Sequence, residues 1–100
     1  EFSKTMEIIR RDFGDTAFAK YKNENDSLKL QSKFNVAVFD ALAISCHDLI
    51  YRKSLVSFSD KKDSFLNLFK NEDFYEAISG SYLDSAKIKL RIEKATAVLQ

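Results

Sequence analysis

One apolar segment constrains the fold of this chain more than any other feature. Residues 34–50 carry apolar side chains at helical spacing almost all the way around a helix. A helix of that kind is normally buried by neighbours on several sides, whereas a surface helix shows a single apolar stripe. We therefore predict a buried central helix over about residues 33–52, capped by Ser32. Arg52 and Lys53 suit the negative end of its dipole, so the helix is expected to end there.

The scarcity of turn residues favours a helical fold for the rest of the chain. Pro is absent and Gly occurs twice in 100 residues, which argues against an all-β fold with many tight turns. Hydrophobic residues make up 45% of the chain and thirteen residues are aromatic, a composition typical of a folded domain rather than of a disordered one. We predict an all-α fold, a compact bundle of about five helices that forms one domain over residues 1–100.

Capping signals place four further helices around the central one. Their predicted first residues or caps are Ser3, Ser59, Asn71 and Ser81. Gly14 is expected to end the first helix and Gly80 the fourth, because glycine readily adopts the left-handed conformation found there. Ser81 and Asp84 form an S-x-x-D capping box for the last helix. The polar stretch from Lys22 to Gln31 is predicted to be an exposed loop, although Leu28 and Leu30 could fold back, and no strand is predicted.

Few side chains in this chain could carry out catalysis. One cysteine, Cys46, and one histidine, His47, exclude a disulfide framework and a multi-histidine metal site within the chain. These neighbours point about 100° apart on a helix, and Asp40 lies about 10 Å from His47 along the axis, so neither pairing suits nucleophilic catalysis. We predict that the chain is not an enzyme and has no catalytic residue, cofactor or metal. Cys46 is expected in the core and His47 at its boundary.

Charge and apolar patterning bear on the partners and the compartment. The formal net charge is +1, so no strong overall field indicates a nucleic-acid or membrane partner. No run of 18 apolar residues predicts a membrane span, and no signal peptide is recognisable. With a single cysteine, these features favour a cytoplasmic location and no membrane partner. The chain begins Glu-Phe-Ser, so we expect a domain taken from a larger protein, with residues 1–2 as a candidate cloning scar.

The predicted last helix carries a candidate nucleic-acid contact. Lys87, Arg91 and Lys94 lie at positions i, i+4 and i+7 and would share one helix face. That face could enter a DNA major groove as part of a helix-turn-helix. The alternative interpretation is the solvated face of an ordinary amphipathic helix.

The aromatic residues offer a second kind of contact. Most of the nine Phe and four Tyr residues are expected in the core, but some could form an exposed patch that binds another domain or a second copy of the chain. The candidate contact residues are Asn35, Phe65, Phe69 and Tyr75, with Tyr51 and Phe58 as a further pair. Asn35 could alternatively bond to backbone near the start of the central helix.

Three motifs in order carry a family resemblance. They are D-F-G-D-T-A-F at residues 12–18, K-F-N-V-A-V-F-D-A-L at residues 33–42, and N-E-D-F-Y-E-A-I-S-G-S at residues 71–81, continuing to K-L-R-I-E-K-A at residues 89–95. This order resembles the helical region that follows the ParB/sulfiredoxin-like N-terminal domain of many bacterial proteins, of which the GmrSD modification-dependent restriction proteins are the best known. The resemblance covers most of the chain from about Met6.

The resemblance implies a supporting role rather than an activity. In that family, nucleotide-dependent nuclease chemistry belongs to an N-terminal D-G-Q-Q-R motif and, in some members, to a C-terminal H-N-H domain, and this sequence contains neither motif. The matched positions are therefore interpreted as structural, and Arg91 is expected to pair with Asp40 or with a helix C-terminus. The preferred hypothesis is a helical domain that supports or regulates the N-terminal domain of a phage-defence protein. The alternatives are a DNA-contacting module and a free-standing protein-interaction adaptor.

Overall fold

The computed structural model describes residues 2–80 and 84–100. Over these residues the chain is mostly helical, with one antiparallel pair of strands. The elements are α1 (Phe2–Phe13), β1 (Lys20–Glu24), β2 (Ser27–Ser32), α2 (Val36–Lys53), α3 (Lys62–Asn67), α4 (Glu72–Ala77) and α5 (Ser85–Leu99). Short 3₁₀ turns follow α1, precede α3 and join α3 to α4. The predicted helical class is therefore confirmed in outline, and the strands are an addition to it.

Helix α2 is the buried centre of the domain, as predicted. It packs against α1 on one side and α5 on the other. Its fully buried side chains are Val38, Ala41, Leu42, Cys46 and Leu49. The helix ends at Lys53, where Ser54 takes a left-handed conformation with φ of 59°. The burial is incomplete, however, because Val36, Ile44 and Tyr51 remain 43–51% exposed along one side of the helix.

The predicted cap of α2 is wrong by three residues. Asn35 is the N-cap, and its side-chain oxygen accepts a hydrogen bond from the Val38 amide at 3.0 Å. Ser32 instead ends β2 and donates its hydroxyl to the Phe34 carbonyl. Asn35 therefore has the backbone-bonding role that was one of its two predicted roles.

Residues 22–31 are exposed, as predicted, except for the half-buried Leu28, but they form a hairpin instead of the predicted loop. Strands β1 and β2 pair antiparallel through a two-residue turn. Both turn residues, Asn25 and Asp26, have positive φ of 51° and 66°, as a type I′ hairpin turn requires, and Asn and Asp tolerate that conformation better than most residues. Tyr21 packs edge-on against Phe69, and Leu28 contacts the core. These contacts hold the hairpin against the helices.

Some of the other predicted helix caps and helix ends are confirmed, and others are not. Gly14 follows α1 with φ of +77°, as expected, and Asn71 caps α4 by accepting from the Phe74 amide at 2.9 Å. Asp84 is itself the N-cap of α5, accepting from two amides of the first turn, whereas its predicted partner Ser81 lies outside the described residues. Ser59 makes no cap bond and begins a 3₁₀ turn instead.

A buried guanidinium joins three of the helices. Arg91 of α5 has no solvent exposure. One terminal nitrogen donates to the Asp40 carboxylate of α2 at 3.2 Å, and the other donates to the Ala77 carbonyl at the end of α4 at 3.3 Å. Both predicted partners of Arg91, Asp40 and a helix C-terminus, are therefore confirmed. Such pairing is what allows a charged group to lie in a protein interior.

Asp12 attaches the end of α1 to the loop that follows α2. Its carboxylate accepts from the Phe58 amide at 2.7 Å, while the neighbouring Arg11 donates to the Val56 carbonyl at 2.7 Å. Arg11 also forms two hydrogen bonds to Asp12. These bonds lower the pKa of Asp12, burial opposes the lowering, and the bond from Phe58 lowers the pKa further.

Arg91 is fully buried, whereas Asp40 is partly exposed. The loss of unfolding free energy when this pair is broken therefore depends on which of the two residues is replaced. Asp40→Ala takes the carboxylate away from a guanidinium that stays buried, and we expect it to cost about 3 kcal/mol of unfolding free energy. Arg91→Met keeps most of the side-chain volume and leaves an Asp40 side chain that is 34% exposed, so it should cost about 1 kcal/mol. Urea denaturation of both variants measures the difference.

Asp48→Ala is the matched control on the same helix. It breaks the exposed Asp48–Arg52 pair, and exposed pairs contribute little to stability. An Asp40→Ala variant as stable as Asp48→Ala would contradict the structural role given to the buried pair.

Asp12 should make the domain sensitive to acid. The pKa of Asp12 is lower in the folded state than in the unfolded one. Its ionised carboxylate therefore adds to the free energy of unfolding above the unfolded pKa of about 4, and this stabilisation is lost as the pH falls through the folded pKa. We expect Asp12→Asn to be less stable than the wild type at pH 7 and to lose less of its stability on acidification. Urea unfolding at several pH values between about 2.5 and 7 tests this, and equal acid losses in the two proteins would refute it.

Candidate functional site

Six partly exposed rings form a continuous surface along α1 and α2, which we call the aromatic ridge. Its members are Phe34, Phe18, Phe39, Phe2, His47 and Tyr51. Successive rings in that order lie 6.1, 4.9, 6.5, 6.1 and 4.6 Å apart between centroids. Three of the five pairs are edge-to-face, an arrangement that aromatic rings favour, and the other two are tilted.

The ridge is assembled from three separate parts of the chain. Phe39, His47 and Tyr51 share one side of α2 because they lie eight and four residues apart. Phe34 comes just before this helix, and Phe18 lies between the turn after α1 and β1. The Asn35 amide donates to the Phe18 carbonyl at 2.9 Å, and this bond brings Phe34 and Phe18 together. Phe2 completes the row from the first turn of α1.

The exposed apolar side chains of the ridge lie next to one another and form one contiguous surface. Phe2, Phe34 and Tyr51 are 48%, 56% and 51% exposed. Val36 and Ile44 extend this surface, since they lie on the same side of α2 as Tyr51. Single exposed apolar residues are common on monomeric proteins, whereas contiguous ones mark interaction sites. The ridge is therefore the strongest candidate for a functional surface.

A groove of about 560 Å³ lies beside the ridge, between α1 and the turn that follows it. Its lining includes Met6, Ile9 and Phe18, with Glu7 and Arg10 among the polar side chains. Phe18 belongs to both the groove and the ridge, so the two features form one continuous surface. Apolar side chains with a few charged ones around them suit a protein segment as a ligand.

His47 has a fixed place within the ridge. Its Nδ1 atom lies 2.8 Å from the hydroxyl of Thr5, a buried residue of α1, and its ring lies between Phe2 and Tyr51. His47 is half-buried, which confirms the boundary position predicted for it. Asp40, by contrast, bonds to Arg91.

Cys46 belongs to the core, as predicted, and is unsuited to nucleophilic chemistry. The side chain has no solvent exposure. Burial raises the pKa of the thiol to about 12, so the reactive thiolate is scarce at neutral pH. Across the described parts of the chain, no three side chains of the metal-binding types form a group that could hold a metal ion.

The predicted basic face of the last helix is not a single exposed surface. Arg91 faces the interior, where Asp40 and the Ala77 carbonyl hold it, so it cannot contact DNA. Lys87 is half-buried and donates to the Ser79 carbonyl at 3.1 Å. Lys94 is half-buried as well. The spacing did place the three residues on one side of α5, but that side is turned toward α2 and α4.

Most of the predicted interdomain aromatic residues lie away from the ridge or inside the core. Phe65 and Phe69 are each 2% exposed and pack against each other and other core rings, so neither is available to a partner. Phe58 has no exposure either. Tyr75 is half-buried and donates its hydroxyl to Gln31. Of the aromatic residues singled out in the sequence, Tyr51 alone is part of the ridge.

The ridge carried one weak signal in the sequence. Phe34 stands in the polar stretch S-K-F-N at residues 32–35, directly before a helix cap. A large apolar side chain in such a position packs against the first turns of the helix, as Phe34 does against Phe39 at 6.0 Å between ring centroids, and stays partly outside the core. Phe2 and Phe18 gave no comparable indication.

A search of the described residues for membrane-spanning helices and a comparison of the chain with known proteins both gave negative results. In residues 2–80 and 84–100, no helix combines the length and apolar character that crossing a membrane requires. Comparison of the chain with protein-family models, with curated proteins and with solved structures gave no match.

Proposed function

We propose that this chain is a non-catalytic interaction domain that binds another protein domain through the aromatic ridge. The observation that carries the proposal is the exposure of Phe34 and Tyr51 within the row of contacting rings. Aromatic side chains are enriched where protein interfaces are most strongly stabilised, because each buries a large area at low entropic cost. The adjoining groove would receive a neighbouring segment of the same partner.

The resemblance to GmrSD-type proteins identifies the partner we propose. It is the N-terminal domain of the same bacterial parent protein, a nucleotide-dependent nuclease that this helical domain would support or regulate in phage defence. The proposal places the parent protein in the cytoplasm, which agrees with a single buried cysteine. In this arrangement the ridge is covered in the intact parent protein.

Substitutions on the ridge should weaken binding of the partner without unfolding the domain. We expect Phe34→Ser combined with Tyr51→Ser to reduce affinity for the separately expressed N-terminal domain at least tenfold, about 1.4 kcal/mol. Both side chains are more than half exposed, so the fold should tolerate their replacement. Isothermal titration calorimetry measures the affinity, and circular dichroism checks the helical content.

The matched control replaces two equally exposed apolar residues outside the ridge. Leu30 and Val56 are 51% and 66% exposed, and Leu30→Ser with Val56→Ser should leave the affinity unchanged. If the two double variants bind equally well, the ridge is not the interface. Sedimentation of the isolated chain supplies a further outcome, since a dimer lost in the ridge variant alone would identify a second copy as the partner.

A further inference from the structure

Two lysine ammonium groups converge on one residue immediately after α4. Lys20 of β1 donates to the Ser79 hydroxyl at 2.9 Å, and Lys87 of α5 donates to the Ser79 carbonyl at 3.1 Å. The two lysines come from opposite ends of the sequence, so the tertiary fold brings them together. Both are half-buried.

In the described residues the two ammonium groups are not paired with carboxylates, although exposed acidic residues stand on the neighbouring helix α4. Neither ammonium group forms an ion pair with a carboxylate in residues 2–80 or 84–100. Both positive charges are bonded to the same residue, and partial burial reduces the water that would screen them. Lys22 and Lys29 add to the positive field, because they are paired directly across the same hairpin and both are exposed.

The surrounding groups hold the two lysines in place. The Ser79 hydroxyl donates to the Tyr75 carbonyl at 2.7 Å, so its oxygen is turned to accept from Lys20. The Lys20 ammonium also lies 4.8 Å from the centre of the Tyr75 ring. Gly80 has φ of +69°, and a Cβ atom there would lie 3.3 Å from the Lys87 ammonium. A glycine at this position therefore leaves room for the lysine beside the backbone.

We infer that Lys20 and Lys87, held in place by their bonds to Ser79, form a binding site for a single phosphate group. Each ammonium group has three N–H donors and uses one on Ser79. The remaining donors suit a compact dianion with several acceptor oxygens, and lysine binds phosphate as a point charge. The bound phosphate would neutralise the two ammonium groups.

The acidic residues of α4 limit the site to a small ligand. Glu72, Asp73 and Glu76 are exposed on this short helix, which ends beside Ser79. Their negative charge interrupts the positive surface that a nucleic-acid backbone would need to follow. The site therefore suits inorganic phosphate or a small phosphate monoester.

Titration of the ¹⁵N-labelled 100-residue chain with inorganic phosphate tests the site, with ionic strength held constant by sodium chloride. We expect saturable shifts of the backbone amide signals of residues 20, 79, 80 and 87. The Lys20→Gln and Lys87→Gln double variant should bind at least tenfold more weakly. The matched control is Lys89→Gln, an exposed lysine of the same helix, which should bind as the wild type does.

Each outcome of this titration supports or overturns the inference. Each single variant is also measured, and circular dichroism confirms that the variants are folded. Titration with ribose 5-phosphate separates the two sources, since tighter binding than that of inorganic phosphate identifies an ester as the ligand. Shifts that do not saturate, or that persist in the double variant, overturn the inference. A short oligonucleotide that binds more tightly than either compound, and requires both lysines, would overturn the assignment to a small ligand.

Discussion

The arrangement of the helices depends on one charged group held away from water. The Arg91 guanidinium can remain inside the domain because α2 supplies a carboxylate and α4 ends with a carbonyl directed at it. Neither partner alone would satisfy the group, so the three helices must meet at one point. A hydrophobic side chain at this position would pack at many helix angles, whereas the directional bonds of a guanidinium permit few. The buried charge thus adds geometric specificity to a core that is otherwise made of aromatic and aliphatic side chains.

Local signals in the sequence predicted the helices well and tertiary contacts poorly. The central helix, the glycine that ends α1 and the Asn71 cap of α4 depend on neighbouring residues, and their effects can be read from spacing. The hairpin depends on Tyr21 and Leu28 reaching the core and on two turn residues with positive φ. The sequence allowed Leu28 to fold back, but the polar stretch did not reveal that two strands pair. For Arg91 the pairing with Asp40 was predicted, but a DNA contact was predicted as well, because helical spacing gives a direction around the helix axis and not which direction faces solvent.

The sequence predicted the kind of candidate surface, an exposed aromatic patch, but not the residues that form it. An excess of aromatic residues indicated that some would be exposed, yet the Phe-rich segment that includes Phe65 and Phe69 packs on itself and supplies the core. The most exposed rings lie instead near helix ends, as Phe2, Phe34 and Tyr51 do, where fewer neighbours surround a side chain. The phosphate site was missed for a different reason, since its two lysines are far apart in the sequence. Spacing rules apply within one element and do not relate a strand to a distant helix.

The hydrogen bond from the Asn35 amide to the Phe18 carbonyl has a consequence for how the chain tolerates change. It joins the residues on either side of the hairpin, so β1, β2 and their turn form a loop of chain closed at its base. Residues inserted at the tip, between Asn25 and Asp26, would lengthen this loop without moving its ends, and the entropic cost of a longer closed loop rises slowly. The tip of the hairpin is therefore the natural place to insert an affinity tag or a spectroscopic label while the rings on the opposite side of that bond keep their positions.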